Sequence, residues 1–114
     1  MSEKLRIDVE RKGGVNVIRL SGAALDVSTA QDFKTECAAM VQENPRIVLN
    51  LQNLDFVDSS GVGALLSLLR QSKSAGGDVK ICSVPENILA LFELVRFNRL
   101  FDLFETEEEA IQAF

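Results

Sequence analysis

Histidine, tryptophan and tyrosine are absent from this 114-residue chain. The missing histidine removes the side chain most often used as a general base and as a metal ligand. Cysteine is scarce. Cys37 and Cys82 lie far apart with no Cys-x-x-Cys spacing, so they read as buried thiols in a reducing compartment and not as a reactive pair. Long apolar runs are missing too. The longest, Val62 to Leu69, is too short to span a bilayer and contains Ser67. Met1 to Arg6 is polar, carries both signs and leads into no apolar run, so no secretory signal is expected. Positive charge is in deficit, with 12 Lys and Arg against 17 Asp and Glu, a net charge of -5 and a pI near 4.7. That balance argues against direct nucleic-acid binding, membrane insertion or an anionic membrane surface. A cytoplasmic protein is expected.

What is present suits one compact domain over residues 1–114, since hydrophobic residues make up 46% of the chain. Leu5 to Val9 and Val15 to Leu20 alternate apolar and polar residues around Gly13-Gly14. This predicts an antiparallel hairpin. Ser28, with Gln31 three residues on, matches a capping box opening a first helix. Ala30, Phe33, Cys37, Met40 and Val41 form its apolar face, and Asn44-Pro45 ends it. Arg46 to Leu51 predicts a central strand covered on both faces. Asn53 to Val57 reads as a turn and a short extended approach to a second helix. Val62, Leu65, Leu66 and Leu69 supply that helix's buried face, and Ala75-Gly76-Gly77 stops it.

Asp78 to Ser83 predicts a further strand. Pro85 fits the first turn of a third helix, whose buried stripe is Ile88, Leu91, Phe92 and Val95. Arg99 to Phe104 is ambiguous and is assigned a short strand. Thr106 with Glu109 is a second capping box, opening a last helix. Glu105, Glu107, Glu108 and Glu109 then favour the helix dipole as a solvated end. Strands alternating with helices predict an α/β fold with a mostly parallel sheet.

The segment that carries chemistry is Asp55-Phe56-Val57-Asp58-Ser59-Ser60-Gly61-Val62-Gly63. A buried strand ends, a short connection follows and a helix starts, which is where open α/β sheets gather ligands. The first amides of that helix have no intrahelical partner and carry partial positive charge. Ser59 and Ser60 stand where an added phosphate would be accommodated. Gly61 and Gly63 remove side chains from the first turn, which would let another protein's backbone or a nucleotide approach closely. Asp and Ser are also the preferred N-cap residues, and a cap needs no function. The cap alone does not explain two glycines that weaken a first turn. Ser59 has no base partner and no Gly-x-Ser-x-Gly elbow, so no catalytic residue is assigned. Gly61-x-Gly63 lacks the rest of a dinucleotide or Walker fingerprint, so no phosphate cofactor is expected, and with no histidine no metal is expected either. Ala64 and Leu68 lie off the second helix's assigned face. They mark either a helix buried on two sides or an apolar patch beside the serines that receives a partner.

Over nearly its whole length the chain resembles a STAS domain, and within that superfamily a bacterial anti-sigma factor antagonist. The resemblance rests on the opening hairpin and Arg19-Leu20-Ser21-Gly22 with Leu25-Asp26. It continues through Ile47-Val48-Leu49-Asn50-Leu51, Phe56-Val57-Asp58-Ser59-Ser60-Gly61-Val62-Gly63 and Gly76-Gly77. It implies a STAS-like mixed, mostly parallel sheet of four to five strands with about four helices. It also implies a mechanism. The unmodified antagonist binds an anti-sigma factor, a serine kinase with a histidine-kinase-like ATPase fold, and so frees a sigma factor. The kinase phosphorylates the serine after the motif's aspartate, here Ser59, and a serine phosphatase reverses this. Asp58 would shape the acceptor site, and Ser60 and Gly61 the contacting turn. Val62 and Gly63 complete the partner-binding stretch. Asp26 matches a position near the phosphosite. Ala23 departs from the pattern, which often has an acid there. Three other functions compete: a docking subunit of a transporter such as a lipid-transport ABC complex, a small-ligand or nucleotide sensor, and an enzyme using the serines as nucleophiles.

Overall fold

The computed structural model describes residues 5–114. The polar opening at Met1 to Lys4 lies outside the described residues. The sheet has the order β1-β2-β3-β4-β5. β1 (Arg6–Lys12) and β2 (Val15–Gly22) form the antiparallel hairpin. Gly13 and Gly14 both have positive φ, 62° and 80°, as a two-residue primed turn requires. β3 (Arg46–Leu54), β4 (Asp78–Cys82) and β5 (Asp102–Phe104) add in parallel. α1 (Ala30–Glu43), α2 (Ser59–Ser74), α3 (Glu86–Leu94) and α4 (Glu107–Gln112) complete the order among the described residues, with a 3-10 turn at Phe97–Arg99.

Period-two alternation splits each central strand between two cores. Ile18, Leu20, Ile47, Leu49, Leu51, Val79 and Ile81 meet Phe33, Cys37, Leu65 and Phe92 of the helices in the larger one. Val15, Val17, Val48 and Cys82 face the other way, against Ala110 and Ile111 of α4. Ile47 to Leu51 are all buried, as a doubly covered central strand demands. Cys37 and Cys82 are buried and free.

Several expectations are corrected. α1 begins at Ala30 with Thr29 as its N-cap and no side-chain cap. The Ser28–Gln31 box does not form because Asp26 takes both the amide and the hydroxyl of Ser28, at 2.9 and 2.7 Å. Asn53 and Leu54 belong to β3 and not to a turn. β3 holds one extra residue there, Arg19 pairing with Asn50 but Ser21 with Asn53, and the bulge lengthens the strand. Pro85 is the N-cap of α3 and lies outside its first turn. Val95 is 43% exposed, because α3 ends at Leu94 and the chain reverses through Arg96 at φ 62°. The buried face of α2 is rotated: Ala64, Leu65, Leu68 and Leu69 are buried while Val62 and Leu66 are half-buried. α2 packs against both α1 and the sheet, so the two residues assigned to a possible patch are core. The Thr106–Glu109 capping box forms in both directions.

Candidate functional site

The site is built where β3 hands over to α2. Leu25 and Val57 form an isolated parallel bridge. Leu25 N–H donates to the Phe56 carbonyl at 2.9 Å, and Asp58 N–H donates to the Leu25 carbonyl at 3.3 Å. Two loops that are distant in sequence thus run together as a short extension of the sheet. Asn87, at the start of α3, donates from its amide to the Asp55 carbonyl at 2.8 Å and braces the same loop from the other side.

Asp58 is the N-cap of α2. Its Oδ1 accepts from Gly61 N–H at 3.0 Å and its Oδ2 from Val27 N–H at 3.2 Å. One carboxylate therefore caps the helix and pins the β2–α1 loop. Asp26 holds the other half of that loop. Its carboxylate accepts the two Ser28 bonds, while its own N–H donates to Thr29 Oγ1 at 2.9 Å, and Thr29 Oγ1 donates to the Ala24 carbonyl at 3.0 Å. The hydrogen bond from the Ser28 side chain is the main cause that holds the Asp26 carboxyl below its ordinary range.

Ser59 is exposed and Ser60 half-buried in the first turn. Their amides belong to the group that a helix cannot satisfy internally. Ser59 Oγ thus sits in water beside free donors at the positive end of a helix. Gly61 has a role the sequence did not reveal. It is buried, and a Cβ there would overlap the Leu25 carbonyl and Val57. The backbone that approaches it is the chain's own. Gly63 is the open glycine: it is exposed, and an added Cβ would meet nothing within 4 Å. Val62 is half-buried on the rim.

Asp26, Asp58, Ser59, Ser60, Gly61, Val62 and Gly63 are therefore brought into one neighbourhood. Two exposed apolar side chains adjoin this neighbourhood, Val27 at 75% and Phe56 at 52% exposure; Val27 was not singled out from the sequence, and Phe56 was named only as part of the segment. Each lies on a loop within two residues of Asp58 or held by it. A loop hydrophobe has no periodicity to mark it.

A second polar cluster lies at the same end of the sheet, on the α4 side. Glu107 was expected to be solvated. Instead its side chain is only 16% exposed. It receives two bonds from the Arg19 guanidinium, at 2.9 and 2.8 Å, and one from the Asn50 amide at 3.0 Å. The Arg19 bond, aided by Asn50 and opposed by burial, brings the Glu107 carboxyl down to about 2. Arg19 and Asn50 occupy polar positions of β2 and β3 that face α4, and no spacing rule links them to residue 107. Among the described residues, no cluster of acids and cysteines is placed to hold a metal ion, and no helix is long and apolar enough to cross a membrane.

Comparison with known proteins agrees with this architecture. The STAS domain family model matches residues 6–110. An anti-sigma F factor antagonist of Paenibacillus polymyxa is 30% identical over 94% of this chain and 92% of its own. An anti-sigma factor antagonist from Mycobacterium paratuberculosis superposes with a TM-score of 0.87, covering 99% of this chain and 97% of that one at 23% identity. The Bacillus cell fate determinant SpoIIAA in its phosphorylated form gives a TM-score of 0.72 at 25% identity, over 95% of this chain and 98% of that one. The chain belongs to the STAS domain family and, within it, to the anti-sigma factor antagonists. These are regulatory proteins and not enzymes.

Proposed function

We propose that this chain is a cytoplasmic partner switch. Unphosphorylated, it binds an anti-sigma factor that is also a serine kinase of the histidine-kinase-like ATPase fold, and a sigma factor is released. Phosphorylation of Ser59 turns binding off, and a serine phosphatase restores it. The observation that carries this reading is the placement of Ser59: exposed, in the first turn of α2, with the exposed apolar side chains of Val27 and Phe56 close by. A phosphate there adds about −1.5 to −2 charges beside free amides, which the helix start tolerates. In a closed interface the same charge must be desolvated, at a cost of about 2–5 kcal/mol when left unpaired. Binding is thus switched while the fold stays. That a relative is known in a phosphorylated form supports the reading.

The test is intact mass and site mapping on the protein isolated from its own cells with phosphatases blocked. Phosphate on Ser59, lost in Ser59→Ala, is the expected result. An unmodified chain through growth and stress would sink the switch and favour a constitutive docking subunit of a transporter.

A further inference from the structure

A groove of about 700 Å³ runs between the C-terminal half of α2 and the 3-10 turn. Leu66, Leu69 and Leu100 line it, with Arg70, Lys73 and Arg99 around them and no acidic residue. Leu100 is 51% exposed. The groove is locally positive in a chain of net charge -5. Among the described residues, neither Arg70 nor Arg99 has a carboxylate within salt-bridge distance, and Lys73 reaches Asp78 only at 3.7 Å. Elsewhere Arg19 and Lys80 each hold two carboxylates, while Lys34, Arg46 and Arg96 stand scattered without one among the described residues; in the groove such cations gather around leucines. The groove wall is firm. Phe97 packs between Phe92 and Phe101 with tilted rings, centroids 5.1 and 4.9 Å apart, and holds the turn that carries Arg99 and Leu100.

We propose that this groove is a second docking site, separate from Ser59, for an acidic segment of a partner protein that presents apolar side chains. Leucines and cations side by side select a segment with both characters. An anionic bilayer is the poorer occupant. It would meet the charge of the whole molecule, which is negative, whereas a short peptide in the groove feels mainly the cations within a screening length of about 8–10 Å. Arg70 lies eleven residues along α2 from Ser59, about 16 Å at helical rise. A segment here can stay bound in both phosphorylation states.

The test is titration of the full ¹⁵N-labelled chain with a synthetic amphipathic peptide carrying leucines on one face and glutamates beside them. A control peptide has every glutamate replaced by glutamine. Amide shifts should concentrate at Leu66, Arg70, Lys73, Arg99 and Leu100, weaken at least tenfold with the control, and weaken likewise in the Arg70→Glu/Arg99→Glu variant. That variant's fold is checked by its unperturbed Ser59-end amides, and Ser59→Asp should bind the peptide as the parent does. Absence of localised shifts, equal binding of the two peptides, or shifts confined to the Ser59 end would overturn the proposal. So would sedimentation with anionic vesicles, or self-association, that vanishes in the same variant while the peptide shows no preference.

Discussion

Asp58 joins two loops 31 residues apart, its Oδ2 accepting from Val27 N–H at 3.2 Å while its Oδ1 accepts from Gly61 N–H. The cap and the pin are one side chain. Asp58→Ala is therefore expected to lose about 0.5–2 kcal/mol, the range for a lost N-cap. It should also free the Val27 loop. Urea denaturation measures the first effect and amide exchange at Val27 the second. Asp58→Asn keeps an acceptor and should lose less. An alanine variant as stable as the parent, with Val27 still protected, would refute the dual role.

The two glycines of the first turn should behave oppositely. Gly61→Ala drives a methyl into the Leu25 carbonyl, an overpacking expected to cost about 1–3 kcal/mol. Gly63→Ala meets open space and should stabilise the helix by about 0.5–1 kcal/mol. Denaturation midpoints of the pair settle the matter. Equal effects of the same sign would contradict the packing described.

Acid should weaken the sheet's α4 face through Glu107. Its carboxyl is brought from the ordinary 4.5 to about 2, chiefly by the Arg19 hydrogen bond. A carboxyl depressed on folding stabilises fully above its unfolded pKa, and that contribution is lost as pH falls through the folded value. The loss should run from about pH 4.5 down to about 2. With Arg19 38% exposed, solvent screening limits it to about 1–2 kcal/mol. Glu107→Gln should be less stable at neutral pH and show a flatter stability profile across that window. An unchanged slope would mean that other carboxylates carry the acid response.

Both thiols should be inert in the folded protein. Burial pushes Cys37 up to about 12 and Cys82 up to about 11. Thiolate is the reactive form, so a disulfide reagent near pH 8 should label neither until denaturant is added. Fast labelling of either in the native state would show that its helix or strand opens locally.

The fold was legible in this sequence because its elements are long, periodic and punctuated. Alternation marked β1 and β2, Gly13-Gly14 marked their turn, the apolar run Ile47 to Leu51 marked the middle of the sheet, and Thr106 with Glu109 marked the last cap. The motif around Ser59 was legible too, since a helix start is a local property of Asp58 and the residues just after it. What tertiary structure alone decided is everything that depends on a partner far along the chain. The orientation of α2 was misjudged because helical spacing gives a stripe and not the direction in which α1 and the sheet lie. Gly61 proved to be an internal contact because only folding places Leu25 against it. Glu107 left the solvent because Arg19 and Asn50, 88 and 57 residues away, come to face it from neighbouring strands. The sequence determined which elements form, because capping and periodicity act over a few residues. The structure decided which side chains meet, because burial and ion pairing act through space.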